Sequence, residues 1–435
     1  MEVISGFSKL NRQQRIDYLT GHSKLNGSEG SHFHDFDSPD EENQRVFEDM
    51  IENYIGNFPL PIGMVTNLLL NDESLIVPFV TEESSVVAAA SKAAKFWATR
   101  GGFRALVTSM TKKGQVHFTW NGDRDKIAIL FPGIREKLLT ACSDLTARMR
   151  QRGGGITEIQ LIDKTRELAD YFQLDVSFET ADAMGANFIN SCLETCASVL
   201  QNLTELNSQG NQVQIIMSIL SNYTPGSKVK CHVECPVGEL KDWDKDLTGE
   251  AFAKKFRQAV DIANVDISRA VTHNKGIFNG IDAVMVATGN DWRAVEASAH
   301  AYASRDGNYK GLTSISLDDN MFRYELELPL SVGTVGGITQ IHPMVRKAMA
   351  IMNYPDAGKL MIIAAASGLA NNFSAVSSLI TTGIQKGHMR MHLTNILNQL
   401  NAKKEERENA ISHFKEVTVG FAAVEDFIRQ IRNEK

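Results

Sequence analysis

The sequence predicts a protein of the mixed α and β class, in which a smaller unit interrupts a helix-rich large unit and a helical tail follows. Three observations predict this organisation. The chain has 435 residues, more than one ordinary domain holds. From about residue 105, short alternating segments typical of strands appear among the helical patterns. After residue 378, helical periodicity returns around the mixed charge run KKEERE.

The boundaries between these units follow the changes of pattern. Residues 1–104 are predicted to be mostly helical after a polar start, with a flexible acidic loop over 27–42. Residues 105–221 combine strand-like segments such as YFQLDVSFET with helical segments such as NFINSCLETCASVLQNLTEL. Helices dominate again over 222–378. We therefore predict a discontinuous large domain (1–104 and 222–378), an inserted small domain (105–221) and a C-terminal helical domain (379–435).

Composition limits the classes of partner. The net charge of -7 gives no electrostatic basis for binding nucleic acid or an anionic membrane. The N-terminal residues lack the pattern of a signal peptide. The longest apolar stretch, KLMIIAAASGLANNF, reaches Asn371 and Asn372 after about a dozen residues, which is too short for a membrane span. These features predict a cytoplasmic protein without a membrane or nucleic-acid partner.

Candidate metal ligands are present, but their spacing does not favour a metal site. The five cysteines are odd in number, and CHVEC at 231–235 alternates like a strand and lacks paired C-x-x-C spacing. HMRMH at 388–392 has two histidines one helical turn apart but lacks the glutamate of the H-E-x-x-H motif. His32, His34, Asp35 and Asp37 fall in the acidic loop. We predict free thiols and no metal.

Glycine-rich segments exclude the common nucleotide-binding motifs. RGGGIT at 152–157, DAMGAN at 182–187 and SVGTVGGIT at 331–339 match neither the G-x-G-x-x-G fingerprint nor a P-loop, so a Rossmann site is not supported. DAMGAN nevertheless follows a predicted strand and begins a predicted helix. Such a helix N-terminus can bind an anion, although a glycine that merely turns the chain is the commoner case.

Two further segments carry unusual polar residues. TEESSVVAAAS at 81–91 places Glu82 and Glu83 before a helix of small residues, where acids complement the helix dipole and serines cap. The segment 269–303 contains Arg269, Lys275, Asn279 and Asp291. Each has an ordinary structural interpretation, as a surface cation, a turn residue or an N-cap, but their density indicates a site.

The motifs together resemble one family. ENYIG at 52–56, TEESSVVAAAS, DAMGAN, HNKG at 273–276, ATGNDWRA at 287–294, GTVGG at 333–337 and GHM at 387–389 occur in the order and spacing of 3-hydroxy-3-methylglutaryl-coenzyme A (HMG-CoA) reductase. The sequence resembles the soluble bacterial form, called class II, over nearly its whole length. It departs from the family pattern at Ser84, where proline is common, and at Tyr54, where valine is common.

The resemblance implies a reaction and its catalytic residues. The family reduces HMG-CoA by four electrons to mevalonate and coenzyme A with two nicotinamide cofactors, and some bacterial members run the reverse reaction. By resemblance the catalytic residues are Glu83, Lys275, Asp291 and His388. A lysine ammonium suits a developing oxyanion, a histidine can protonate the coenzyme A thiolate, and the glutamate can protonate the alkoxide. We expect Glu83, Lys275 and Asp291 to form a coupled set.

The resemblance also implies binding residues and an architecture. The small domain is expected to be ferredoxin-like and to bind the cofactor, the C-terminal domain to act as a mobile flap, and the site to lie at the interface of a homodimer or higher homo-oligomer. The expected substrate-binding residues are Glu52, Asn53, Ser85, Arg269 and Asn279. The expected cofactor-binding residues are Asp182, Met184, Gly185, Asn187, Gly333 and Gly336.

The choice of cofactor depends on the segment ACSDLTARMRQRGGG. Arg148, Arg150 and Arg152 favour the 2′-phosphate of NADPH, whereas Asp144 could bind the ribose hydroxyl groups of NADH. NADPH is the preferred prediction and NADH the alternative. The competing class of function is a non-catalytic or hydrolytic coenzyme A thioester-binding protein on the same scaffold.

Overall fold

The first part of the chain contains two surface helices, a hairpin and a core helix. The computed structural model describes residues 4–22, 31–208, 210–381, 393–414, 417 and 419–433. In chain order, the first elements are α1 (Arg12–His22), α2 (Glu41–Glu48), β1 (Ile62–Leu70), β2 (Glu73–Val80), α3 (Val86–Ala98) and β3 (Arg104–Met110). The prediction that 1–104 is mostly helical is wrong for the β1–β2 hairpin. Asn71 and Asp72 form its turn in the left-handed conformation, a hairpin signal that the sequence carries.

A four-stranded antiparallel sheet follows, with strand order β5-β6-β4-β7. Its elements are β4 (Lys112–Trp120), α4 (Arg124–Ala141), α5 (Ser143–Gln151), β5 (Gly155–Asp163), β6 (Tyr171–Glu179), α6 (Ala186–Asn202) and β7 (Val213–Leu220). Alternate residues of β4 are buried, as expected for a sheet with helices on one face. This unit has its own hydrophobic cluster, which includes Val116, Phe118, Phe172, Leu174 and Leu193.

The large unit is built on a second antiparallel sheet, with order β3-β8-β10-β9. Its remaining elements are β8 (Ser227–Pro236), α7 (Gly249–Val265), α8 (Ile267–Ala287), α9 (Trp292–Ala303), β9 (Thr313–Asp318), β10 (Met321–Pro329), α10 (Ile338–Ile341), α11 (Pro343–Ile351) and α12 (Ala357–Ile380). Because β3 pairs with β8, the inserted sheet begins at Lys112. The prediction of a mixed helix-and-sheet protein is confirmed.

Helix α12 is the central helix of the large core. It is long and apolar enough to cross a membrane, but 89% of its most apolar window is buried within the protein. Asn371 and Asn372, where the apolar stretch was expected to stop, lie inside this helix. Asn372 Nδ2 donates to the main-chain oxygen of His273 at 2.7 Å, so its amide is satisfied in the core. Burial and this bond identify α12 as a core helix.

The C-terminal part is a small helical unit. The residues 393–399 (α13), α14 (Lys404–His413) and α15 (Phe421–Asn433) share a third hydrophobic cluster, which includes Leu393, Leu397, Ala410, Val424 and Ile428. The separate cluster agrees with the predicted helical tail.

Candidate active site

Glu83 and Lys275 are brought together from distant parts of the chain. Glu83 lies in the turn between β2 and α3, and Lys275 lies on α8. The Lys275 Nζ donates a hydrogen bond to Glu83 Oε2, which makes an ion pair. The two side chains are 57% and 40% exposed, respectively. In a single chain this pair is therefore open to a ligand or to a second subunit.

The backbone beside Glu83 is strained. Ser85 is the N-cap of α3 and has φ of 76°, a left-handed conformation that is unfavourable for a residue with a side chain. Glu83 therefore lies two residues before the cap and outside the helix. Strain of this kind is concentrated at functional sites. The sharp turn directs the chain past Lys275 before α3 begins.

Arg269 lies on α8 with Lys275 and has an uncompensated charge. Burial lowers the pKa of its half-buried guanidinium. Within the described part of the chain, that guanidinium forms no hydrogen bond or ion pair. Asn279 follows Lys275 by one helical turn, so the two side chains share a face of α8. The arrangement leaves a cation and an amide available to a carboxylate ligand.

Asp282, which the sequence analysis missed, adds a buried carboxyl group to the same helix. Burial raises its pKa, the negative charge of Glu296 on α9 raises it further, and Lys275 opposes the shift. A buried carboxyl group beside a second carboxylate is more easily kept in its protonated form. The spacing of seven residues from Lys275 is the sequence signal that could have identified it.

Asp291 does not join Glu83 and Lys275 in a single chain. It caps α9, where its Oδ1 accepts the N–H of Ala294 at 3.1 Å. Lys275 precedes Ala287, the last residue of α8, by twelve residues, or about 18 Å along the helix axis. Among the residues that the structure describes, Asp291 forms no hydrogen bond or ion pair with Glu83 or Lys275. One subunit alone does not assemble the expected coupled set.

Asp291 instead lies next to the two predicted cofactor loops. The N–H of Thr334 donates to the main-chain oxygen of Asp182 at 2.8 Å. Asn290 Oδ1 accepts the N–H of Gly333 at 2.8 Å. The DAMGAN and GTVGG loops therefore converge beside the start of α9, as the prediction of a shared cofactor site requires. Asn290, missed from the sequence, fixes one of these loops.

The start of α6 offers hydrogen-bond donors to a ligand. Gly185 is its N-cap with φ of 82°, and no side chain caps the helix. Met184 precedes this cap, and Asn187 lies exposed in the first turn. The first N–H groups of a helix have no partner within it, so they attract anions. Gly336, with φ of 83°, lies in the facing loop.

The three predicted arginines lie near this helix start. Arg148 and Arg150 are exposed on α5, and Arg152 is its exposed C-cap. A Cβ on the nearby Gly154 would lie 2.4 Å from the main-chain oxygen of Glu179, at the end of β6. The end of α5 is thus close to the strand that leads into DAMGAN. An exposed basic cluster beside an uncapped helix fits a phosphorylated dinucleotide.

Gly333→Ala is expected to raise the KM for the cofactor about tenfold or more. A Cβ at this position would lie 2.4 Å from Met184 N, so the two loops would have to move apart. Steady-state kinetics with varied cofactor would measure the effect. The control is Gly133→Ala, because a Cβ there meets nothing within 4 Å. An unchanged cofactor KM would show that the loop contact does not shape the site.

The segment ENYIG is held by the N-terminal helix. Glu52 and Asn53 are exposed, and Asn53 has φ of 55°. Tyr54 is buried under the guanidinium of Arg12, at 5.1 Å from the ring centroid. Arg12 also pairs with Asp37 at 2.6 Å and lowers the pKa of that carboxyl. Part of the predicted flexible loop therefore packs against this segment, and Tyr54 has a structural role.

The predictions for His388, for a metal site and for the cysteines remain to be compared with the structure. His388 lies outside the described residues. In the described ranges, no group of three or more His, Cys, Asp or Glu side chains is arranged to hold a metal. All five cysteines are buried free thiols, as predicted.

A model of the hydroxymethylglutaryl-coenzyme A reductase family matches residues 11–393. The chain belongs to this reductase family. The HMG-CoA reductase of Archaeoglobus fulgidus is 33% identical over 413 residues, which cover 94% of this chain and 89% of that protein. The probable HMG-CoA reductase of Borreliella burgdorferi is 36% identical over 363 residues, which cover 83% and 80%. The chain is therefore an oxidoreductase that reduces HMG-CoA to mevalonate.

Solved HMG-CoA reductase structures share this fold. A class II enzyme from Streptococcus pneumoniae, bound to NADPH in open conformations, is 35% identical with a TM-score of 0.70, covering 87% of this chain and 100% of that chain. A second structure from the same organism is 33% identical with a TM-score of 0.71 and covers 100% of both chains. The predicted resemblance to class II is confirmed.

Proposed function

We propose that the chain performs the four-electron reduction with Lys275, Glu83, Asp291 and His388 as its catalytic residues and NADPH as its preferred cofactor. The observation that carries this proposal is the ion pair between Glu83 and Lys275 beside the strained Ser85. A bound reduced nicotinamide supplies the hydride. Arg269, Ser85 and Asn279 hold the HMG group, while Glu52 and Asn53 lie against coenzyme A.

Each proposed catalytic group stabilises or neutralises a negative charge that develops on the substrate. Attack on the thioester carbonyl produces an oxyanion, which the Lys275 ammonium stabilises best when water is excluded. Departure of coenzyme A leaves a thiolate, which His388 protonates. The second reduction produces an alkoxide, which Glu83 protonates from its carboxylic acid form; the coupled set of Glu83, Lys275 and Asp291 holds the proton that makes Glu83 an acid. Arg269 orients the substrate carboxylate with its unpaired charge.

The separation of Asp291 from Lys275 supports a site shared between two subunits. The middle of α8 carries the Glu83–Lys275 pair, and the region beyond its C-terminal end carries Asp291 and the cofactor loops. In a homodimer, Asp291 of the partner subunit can approach Lys275. Four exposed apolar side chains at alternate positions supply a surface for such contact. They are Phe58, Leu60, Ile62 and Met64.

The domain assignments extend this proposal. Residues 1–104 and 222–378 form the substrate-binding and dimerisation domain, and 105–221 form the ferredoxin-like cofactor domain, with β3 of the large sheet at its boundary. Residues 379–435 form the flap that carries His388. We propose a cytoplasmic location, with HMG-CoA, mevalonate and coenzyme A as the small-molecule partners and no metal requirement.

Replacing Arg148, Arg150 and Arg152 together with glutamine is expected to raise the KM for NADPH about tenfold and to leave that for NADH within about twofold. A 2′-phosphate that loses its cationic partners loses charge-assisted hydrogen bonds. Steady-state kinetics with each cofactor would measure this. Arg135→Gln, an exposed residue of the same unit, is the control. An equal rise in KM for both cofactors would show that the arginines do not bind the 2′-phosphate.

The proposed function is tested by the absorbance of the reduced nicotinamide with purified protein and HMG-CoA. Oxidation of about two NADPH per coenzyme A released is expected, because each hydride carries two electrons. Faster turnover with NADH would overturn the cofactor preference. Turnover of mevalonate, coenzyme A and oxidised cofactor should also be measured, since it reports the reverse direction. No cofactor turnover in either direction would favour the thioester-binding alternative.

A further inference from the structure

Lys112 occupies a position in the inserted sheet that an apolar residue would ordinarily fill. It is the first residue of β4, on the same buried face as Val116, Phe118 and Trp120. The side chain is 3% exposed. Its neighbour Lys113 lies on the other face and pairs with Asp175. A lysine is almost never buried to this extent without specific partners, so its contacts require an explanation.

All the partners of Lys112 belong to one turn. Its Nζ donates to Thr180 Oγ1 at 2.6 Å, to the main-chain oxygen of Ala183 at 2.6 Å and to that of Met184 at 3.1 Å. An ammonium group has three donors, so every donor is used. None of the three acceptors carries a charge. The ammonium therefore holds the turn that begins α6 and keeps a positive charge beneath it.

The direction of these hydrogen bonds determines which way the backbone N–H groups of the turn point. In a planar trans peptide, the carbonyl and the following N–H point in opposite directions. Because the Met184 carbonyl points at Lys112, the N–H of Gly185 points away from it. The first turn of α6 then continues with N–H groups that no side chain caps. The ammonium thus orients the donors at the helix start, and its charge has the same sign as the helix N-terminus.

This turn borders a cleft shared with the loops described above. Lys112 and Met184 line the cleft together with Ala294 of α9 and Ser331, which precedes GTVGG. The carboxylate whose charge most supports the protonated form of Lys112 is that of Glu179, yet burial still lowers the pKa of Lys112 to about 8. The ammonium is therefore charged at neutral pH without an ion pair. An anionic ligand at the helix start would offset this charge.

We propose that Lys112 is a positioning residue for the dinucleotide cofactor, holding the turn 180–185 so that its N–H groups meet a phosphate common to NADPH and NADH. This inference rests on the proposed cofactor site at DAMGAN. It differs from the role of the three arginines because it concerns a part that both cofactors share. Lys112 acts through the turn and does not touch the reacting atoms.

The test compares Lys112→Met with Lys113→Met in the full-length enzyme. Methionine keeps the length of the lysine stem and removes the charge and its donors. Lys112→Met is expected to raise the Kd of NADPH and of NADH by similar factors of about ten, measured by quenching of protein fluorescence. The KM for HMG-CoA and kcat at saturating cofactor should stay within about twofold. Lys113→Met should match the parent in every measurement.

A second variant keeps the test decisive if Lys112→Met does not fold. Thr180→Val removes one acceptor of the ammonium, is nearly isosteric and should raise both cofactor Kd values about threefold. Unchanged Kd values in a folded variant of either kind would overturn the inference, as would a rise for NADPH alone. A parent enzyme that binds neither cofactor would instead overturn the proposed function.

Discussion

Replacing Lys275 by alanine is expected to lower kcat by at least about 100-fold while leaving the fold intact. The ammonium is the cation paired with Glu83, and loss of one preorganised donor to an oxyanion typically has an effect of this size. Its ion pair is exposed, so its loss should change the free energy of unfolding by less than about 1 kcal/mol. Single-turnover oxidation of NADPH and urea denaturation would measure the two effects.

The control for this prediction is Lys255→Ala, which removes an exposed lysine from α7. It should match the parent in turnover and in unfolding. Turnover of Lys275→Ala within tenfold of the parent would remove the assignment of Lys275 to the oxyanion. A large loss of stability would instead show that the ion pair is structural.

Heterodimers of Lys275→Ala and Asp291→Ala subunits are expected to recover about half of the parent activity per dimer. If Asp291 of the partner subunit completes each site, one site of the heterodimer loses both residues and the other keeps both. Each homodimer of the two variants should be nearly inactive. Co-expression with two affinity tags and sequential purification would isolate the heterodimer for assay.

The opposite arrangement gives a different result. If Lys275 and Asp291 acted within one chain, each site of the heterodimer would lack one of them and the heterodimer would be inactive. A heterodimer of parent and Lys275→Ala subunits is the control, because it should have half the activity under either arrangement. The comparison therefore tests the shared site without depending on the size of either single defect.

Sequence patterns predicted most helices and the strand character of the inserted unit, because periodicity reports which face of an element is buried. In α6, for example, Ile189, Cys192 and Leu193 are spaced in the sequence as on one helical face, and all three are buried. The hairpin β1–β2 was missed although Asn71 and Asp72 marked its turn. The sequence carried a local signal for both the helix and the hairpin, but only the helical signal was used.

The site was harder to predict because it depends on contacts between distant segments. The family motifs named Glu83 and Lys275, but nothing in their spacing indicated an ion pair across 192 positions. The motifs also could not reveal that, in the described part of one chain, Asp291 forms no hydrogen bond or ion pair with Lys275. Lys112 was missed because TKKGQ is typical of an exposed turn, whereas the strand alternation places its first lysine inward.

Helix α8 has a consequence for how this sequence can change in length. Surface loops accept insertions because the chain on either side can adjust. Between Lys275 and the end of α8, however, one inserted residue would rotate everything that follows by about 100° and shift it by about 1.5 Å. Asp291 and α9 would turn away from their loops. In this segment, therefore, the number of residues is constrained as strictly as their identity.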